Sequence, residues 1–374
     1  MSEKIRVLVV DDSALMRKLI PQVLQDDPTI TVVGTAMDGA IGLKKIEELH
    51  PHVVTLDIDM PRMDGIEMLR QIMRKHHVPV IVVSAQTTAS ASLTLKALAL
   101  GAFDFVTKPQ DAATGRFEQI ATELALKIKV AASSGAPKMI ITVPTPKRKL
   151  GRTTMPRRPS RVVAIGISTG GPNALQYLFS QLPEDFPGCL LVVQHMPEGF
   201  TDMFARRLDE SSAIEVKEAQ SGDLLLAGRA LICPGNRHMK VRRMDHGDIA
   251  ILVDQPRVNG HRPSVDVLFN SVAQEFGASA VAVLMTGMGD DGAAGLGALK
   301  TAGAMTIAQS PDTCVVDSMP RAAIQRGFAS RVVSLSNLAS VLQSKCVPER
   351  SAQEPVGAAA ESGVSGDSGA SRRR

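Results

Sequence analysis

Short apolar runs alternate with helix-period segments through most of the chain. In the N-terminal third, Ile5–Val10, Ile30–Gly34, Val53–Asp57, Val80–Ser84 and Phe103–Val106 are compact runs that predict five strands. Between them Leu15–Leu24, Ala40–Leu49, Ile66–Met73 and Leu93–Leu100 carry apolar residues three and four apart, the spacing of one helix face. A fifth helix is expected to end near Lys129. Regular strand–helix alternation predicts a parallel sheet covered on both faces.

The pattern stops near residue 130. Pro137, Pro144, Pro146, Pro156 and Pro159 break any helix, and Ser, Thr, Lys and Arg fill the gaps, so 130–160 reads as a linker. A short strand at Met139–Val143 stays open. From Arg161 a second alternation begins, with strands expected at Val162–Ile167, Leu190–Gln194, Ala230–Cys233, Ala280–Met285 and Met305–Ala308. Helices are expected at Asn173–Leu182, Phe200–Asp209, Val265–Phe276 and Ala293–Ala302. Met239–Val253 holds two β-rich runs around His246-Gly247-Asp248, which suggests an inserted hairpin. The expected division is therefore 1–129, a linker 130–160, a second domain 161–345, and a Ser/Gly/Ala-rich tail 346–374 that should be disordered.

Composition refines this picture in two places. Aromatic residues supply only 3% of the chain and Trp is absent, so the cores must be built from aliphatic side chains and Met. The net charge of +4 is unevenly spread. Residues 1–129 hold 15 basic against 16 acidic side chains and 162–345 hold 15 against 18, whereas 130–161 hold eight basic and no acidic ones. A nucleic-acid-binding domain is expected to carry its own basic face, and neither folded part does. No nucleic-acid partner is expected, and the linker's basic run reads as a solvated tether. Cys189, Cys233, Cys314 and Cys346 lie far apart without metal spacing, which fits free thiols in a reducing, cytoplasmic compartment. No secretion signal or membrane-length apolar run is evident, so no membrane insertion is expected.

Candidate chemistry gathers at strand ends. Asp11 and Asp12 follow the first strand and Asp57 ends the third, and parallel strand ends share one sheet edge. Three carboxylates there repel one another without a cation, and oxygen-only ligands suit Mg²⁺. Ser84 and Lys108 reach the same rim, where a lysine can neutralise a phosphoryl group and a hydroxyl can bond one of its oxygens. A lone Asp11 would read equally well as a helix cap. Five suitable residues at successive strand ends do not.

The run Arg161–Pro172 (RVVAIGISTGGP) places Ser168 between a strand end and a helix start, where backbone N–H groups favour a developing oxyanion. Gly166-x-Ser168-x-Gly170 fits the nucleophile-elbow pattern. On this segment alone a phosphate- or dinucleotide-cradling turn is equally supported. His195 follows the next strand, and Asp291 lies in Thr286–Gly292 (TGMGDDG) after a later one, so a base and an orienting acid are expected on the same edge. The order Ser, His, Asp is not that of the α/β-hydrolases. His238, His246 and His261 are expected in loops or turns, with structural or surface roles.

Residues 4–129, with Asp64-Gly65 and Lys108-Pro109, resemble the receiver domain of response regulators, a flavodoxin-like (βα)5 fold. That resemblance implies phosphorylation of Asp57, Mg²⁺ held by Asp11, Asp12, Asp57 and the backbone of Asp59, and a switch formed by Ser84 and Phe105 with Lys108. It also implies a cis Lys108–Pro109 bond. Residues 161–345, with Gly166–Gly171, Gln194-His195-Met196, Pro234-Gly235-x-x-His238, Arg262–Asp266 and Thr286–Gly292, resemble the chemotaxis protein-glutamate methylesterase (CheB) family, a doubly wound, mainly parallel α/β domain. This implies Ser168 as nucleophile, His195 as base, Asp291 as orienting acid, and an oxyanion pocket involving the Met288 backbone and Thr169. Asp290 is expected to be a bystander. The implied activity is hydrolysis of glutamyl methyl esters on chemoreceptor cytoplasmic domains, with deamidation of receptor glutamines. No cofactor is expected in the ester step, and a chemotaxis histidine kinase is the expected phosphodonor.

Overall fold

A computed structural model describes residues 3–85, 87–108, 116–134 and 157–347. The first domain runs β1 (Ile5–Val10), α1 (Ala14–Gln25), β2 (Ile30–Ala36), α2 (Gly39–Leu49), β3 (Val53–Leu56), α3 (Gly65–Lys75), β4 (Val80–Ser84), α4 (Thr88–Ala99), β5 (Asp104–Thr107) and α5 (Arg116–Ser134). Its five strands form a sheet in the order β2-β1-β3-β4-β5, and every pairing is parallel. Strands buried on both faces need no alternation of polar residues, which is why β3 and β4 are buried throughout. Side chains cap the starts of three helices. Asp38 accepts from Ile41 N at 2.9 Å, Asp64 from Glu67 N at 2.7 Å, and Thr87 from Ser90 N at 3.1 Å. The last helix continues to Ser134, five residues past its expected end, because its inner face still packs there: Ile128 and Ala131 are fully buried.

The second domain contains β6 (Val162–Ile167), α6 (Gly171–Ser180), β7 (Cys189–Gln194), α7 (Thr201–Glu210), β8 (Glu215–Glu218), β9 (Arg229–Ile232), β10 (His238–Arg242) and β11 (Ile249–Val253). It continues with α8 (Val265–Phe276), β12 (Ala280–Leu284), α9 (Ala293–Thr301), β13 (Met305–Gln309), α10 (Ser318–Gln325), β14 (Arg331–Val333) and α11 (Leu335–Cys346). Seven parallel strands are ordered β14-β13-β12-β6-β7-β9-β8. β6 lies at the centre, and the chain builds outward first on its β7 side and then on its β12 side. The crevice outside the ends of β6 and β12 is therefore a topological switch point. The expected hairpin is present as antiparallel β10 and β11, anchored on α8 by the Ser271 hydroxyl, which accepts from Val241 N at 2.9 Å.

The two domains share apolar packing. One buried cluster includes Ala91, Leu95, Leu98 and Phe105 of the first domain together with Met196, Phe200 and Phe204 of the second. The Phe105 and Phe200 rings stack with centroids 5.0 Å apart and planes 14° from parallel. Val316 and Met288, from the loops after β13 and β12, join the cluster that contains Leu124 and Ile128 of α5. Polar contacts lie beside these. Asn173 Nδ2 donates to Leu98 O at 2.8 Å, and the Thr169 hydroxyl donates to Asp104 Oδ2 at 2.8 Å. Lys127 is buried against the same carboxylate, with its Nζ 3.2 Å from Asp104, 2.8 Å from Glu123, and donating to Phe105 O at 2.6 Å. Burial opposes the Lys127 charge, but Asp104 and Glu123 outweigh it and raise the pKa above the usual lysine range. Most of the linker, the tail beyond Val347 and the Lys108–Pro109 bond fall outside the described residues.

Candidate functional sites

At the strand ends of the first sheet, Asp11 and Asp57 are buried while Asp12 and Asp59 are exposed. Asp11, Asp12 and Asp57 each offer a carboxylate oxygen, and these atoms lie within 4.8 Å of one another. Lys108 Nζ approaches Asp57 Oδ2 at 2.6 Å and Asp11 Oδ2 at 2.9 Å. The latter contact lacks hydrogen-bond geometry, so Asp11 Oδ2 is buried without a hydrogen-bond partner. Burial raises the pKa of Asp57, partly offset by Lys108. Burial also opposes the Lys108 charge, yet Asp57 and Asp11 raise its pKa overall. Three carboxylates that bring oxygens within 4.8 Å of one another form an all-oxygen set that fits a hard divalent cation. Asp59 N reaches back to Asp57 Oδ1 at 3.4 Å. Ser84 is turned away from this cluster toward α4: its hydroxyl accepts from Thr94 Oγ1 at 2.7 Å. Phe105 faces the second domain through its stack on Phe200.

The second site assembles at the switch point. β6 ends at Ile167, and Gly170 takes φ +77° before Pro172 opens α6, so Ser168 occupies a sharp strand-to-helix turn. Its N–H donates to Thr286 O at 3.0 Å, which lays the loop after β12 directly on the serine. A Cβ added at Gly287 would lie 2.7 Å from Ser168 Cβ and 2.2 Å from Met319 Sδ, so only glycine permits this approach. The β6–β7 register pairs Ile167 with Gln194, which leaves Ser168 and His195 as neighbours just past the paired strands.

His195 Nε2 lies 2.8 Å from Asp291 Oδ2, and His195 Nδ1 is buried without a hydrogen-bond partner. The carboxylate of Asp291 also accepts from Asn259 Nδ2 at 2.9 Å, Ser264 Oγ at 2.8 Å, Val265 N at 2.7 Å and Asp266 N at 3.3 Å. Burial acts to raise its pKa, but bonds from His195, Asn259 and Val265 hold it well below the usual carboxylate range. Nε2–H thus points to a fixed anion, and Nδ1 is left as the basic nitrogen. His195 and Asp291 are hydrogen-bonded, and the β6–β7 register places Ser168 beside His195 at the same sheet edge. Thr169 lies beside them, with its hydroxyl committed to Asp104 of the first domain. Met288 is half-buried against α5. Asp290 stands apart, its Oδ2 accepting from Arg326 at 2.6 Å.

Asn259 was not singled out by the sequence and His261 was expected only in a structural or surface role, although Asn259-Gly260 is a turn signal. The two residues have φ +53° and +79°, and Val258 and His261 exchange both backbone hydrogen bonds across them, as in a type I′ turn. That turn aims the Asn259 amide at Asp291 and Asp266, with the latter bond 2.7 Å long. His238, expected in a loop, begins β10 and is fully buried; its Nδ1 accepts from Ser264 N and its Nε2 donates to Pro256 O. It pins both ends of the segment that carries Asn259 and His261.

Both domains have counterparts among known proteins. Residues 163–342 match the CheB methylesterase family, and residues 7–116 match the response regulator receiver domain. The chain is 61% identical to protein-glutamate methylesterase/protein-glutamine glutaminase 2 of Koribacter versatilis, over 92% of this chain and 97% of the relative. It is 47% identical to the corresponding Symbiobacterium thermophilum protein, over 90% and 96%. The Thermotoga maritima CheB methylesterase catalytic domain, a crystal structure 37% identical in sequence, covers 50% of this chain and 98% of its own, with a TM-score of 0.49. The chain belongs to the CheB methylesterase family, with a receiver domain preceding the catalytic one.

Proposed function

We propose that Ser168 is the nucleophile of a receptor methylesterase that is switched by phosphorylation of Asp57. The observation that carries the catalytic reading is a half-buried His195 whose Nε2 is held by Asp291 while its buried Nδ1 has no hydrogen-bond partner, with Ser168 as its neighbour at the strand ends. In the first step Ser168 Oγ attacks the glutamyl ester carbonyl and its proton passes to His195 Nδ1. The methoxy group leaves with that proton as methanol, or ammonia leaves from a glutamine side chain. Water then attacks the acyl-serine, its proton passes through His195, and a free glutamate and Ser168 are restored. The Met288 and Thr169 backbones flank the serine and are the candidates for oxyanion donors. In our reading this step draws on the protein's own side-chain and backbone groups.

The receiver residues supply control. Asp57 takes the phosphoryl group from a histidine kinase; Asp11, Asp12, Asp57 and the Asp59 backbone would hold Mg²⁺, which neutralises charge on that group. Lys108 lies within reach of its oxygens. The receiver's inner edge abuts the residue after Ser168 through Asp104 and covers Met288 through α5. This arrangement supports an inhibited state that phosphorylation weakens. Family membership supports chemoreceptor cytoplasmic domains as substrates and a cytoplasmic setting, as do four free thiols. No helix among the described residues is long and apolar enough to cross a membrane. The test is direct. Ser168→Ala should abolish methanol release from methylated receptor while the protein still accepts phosphate at Asp57; retained turnover would refute the assignment.

A further inference from the structure

His261 stands outside the triad, yet it lies flat against it. Its ring centroid is 3.8 Å from that of His195 and the planes differ by 9°. The contact is built rather than incidental. The Asn259-Gly260 turn sets the position of His261, and His238 ties down Pro256 and Ser264 on either side. Asp291 receives the Asn259 amide from the same turn. One short segment therefore fixes both the anion that binds His195 and the surface against which His195 rests.

We propose that His261 is a positioning residue for the ester hydrolysis, a neutral aromatic plate that sets the plane of the His195 ring and keeps water off one face. The inference rests on His195 being the base. A single hydrogen bond to Asp291 anchors one ring nitrogen but leaves a broad sp³–sp² torsion, so the direction of Nδ1 is not fixed by that bond alone. A parallel ring at van der Waals distance removes this freedom. The plate must stay uncharged, because a second imidazolium would oppose the charge that His195 acquires on taking the serine proton. The surroundings secure that. Burial, the neighbouring His195 and Arg257 lower the His261 pKa to about 4, against the opposing pull of Asp291 and of Glu123 from α5.

The experiment compares His261→Ala and His261→Phe with the unaltered full-length protein, each treated with a small phosphodonor. Methanol release from methylated receptor is followed from pH 5 to 9. His261→Ala should lower kcat about tenfold or more, with KM within about twofold, because the plate orients the base rather than the substrate. Admitting water to the His195 ring favours its charged form, so the acid limb of kcat/KM should move to higher pH. His261→Phe restores a flat face and should return both kcat and the limb most of the way. An unchanged kcat or an unmoved limb in His261→Ala would overturn the proposal, as would a His261→Phe protein no more active than the alanine form. His195→Gln is assayed in parallel. If it keeps full turnover, the base assignment fails and the plate fails with it; if it is inactive, the His261 results stand alone.

Discussion

Five donors converge on the Asp291 carboxylate, from His195, Asn259, Ser264 and two backbone amides at the start of α8. Each prefers the anion, and together they overcome a burial that would otherwise favour the acid. Asp291→Asn would replace the acceptor facing His195 with an amide that can donate, favouring the wrong imidazole tautomer. We expect kcat to fall by roughly 10⁴-fold, as when the acid of a serine triad is replaced by its amide. Phosphorylation of Asp57 should be unaffected, which separates the loss from misfolding. The linkage has a definite sign. Because the folded-state pKa is depressed, the ionised Asp291 contributes stability above the unfolded carboxylate range near about 4, and this is lost as pH falls toward the folded value. Denaturation midpoints measured from pH 7 to 3 should fall less steeply for Asp291→Asn than for the unaltered protein. At this scale the sequence shows Ser168, His195 and Asp291 because each sits at a strand end in a motif. It hides Asn259 and His261, whose roles depend on where a turn points.

The elements that the periodicity misses share a physical cause. β8 reads Glu-Val-Lys-Glu and β14 begins at an exposed arginine, and both lie at edges of the seven-stranded sheet. Edge strands carry charge on their open side, so they lack the apolar run that marks a central strand. α10 has a proline in its first turn, which breaks the helical signal, whereas α11 keeps a regular stripe of Leu335, Leu338, Ala339, Leu342 and Cys346 and is the exception to this cause. The central elements are legible because they are buried on both faces. Some helices also pack across the domain boundary. α4 lies against α6 and α7, and Asn173 on α6 donates to the Leu98 carbonyl near the end of α4. A neutral hydrogen bond contributes about 1 kcal/mol, equivalent to roughly a fivefold change in an equilibrium. Asn173→Ala should therefore raise the unphosphorylated esterase rate by up to about fivefold and leave the phosphorylated rate nearly unchanged. Equal effects on both rates would place Asn173 in substrate binding instead of domain packing.

For the whole molecule, the sequence yields two α/β domains and a basic connection between them, but not how the domains meet. Phe200, Leu98 and Lys127 look like ordinary core or helix residues until the domains are assembled, and Phe105, expected in a receiver switch, gives no sign in the sequence of its stack on Phe200. Ser84 adds a further link, since its hydroxyl is held by Thr94 of α4, the helix that docks on the catalytic domain. Any displacement of the Ser84 hydroxyl would therefore be felt at α4.

The stack of Phe105 on Phe200 carries one more consequence, because coupling between two sites runs equally in both directions. If a phosphoryl group at Asp57 favours separation of the domains, then occupying the esterase crevice must strengthen the receiver's grip on that group by the same factor. A bound substrate analogue at Ser168 should tighten the binding of a non-covalent phosphoryl mimic at Asp57, measured by titration with the analogue present and absent. An affinity for the mimic that ignores the esterase site would mean that the two domains touch without communicating. Under that coupling, any ligand that favours the open crevice is also an effector of phosphoryl binding at Asp57.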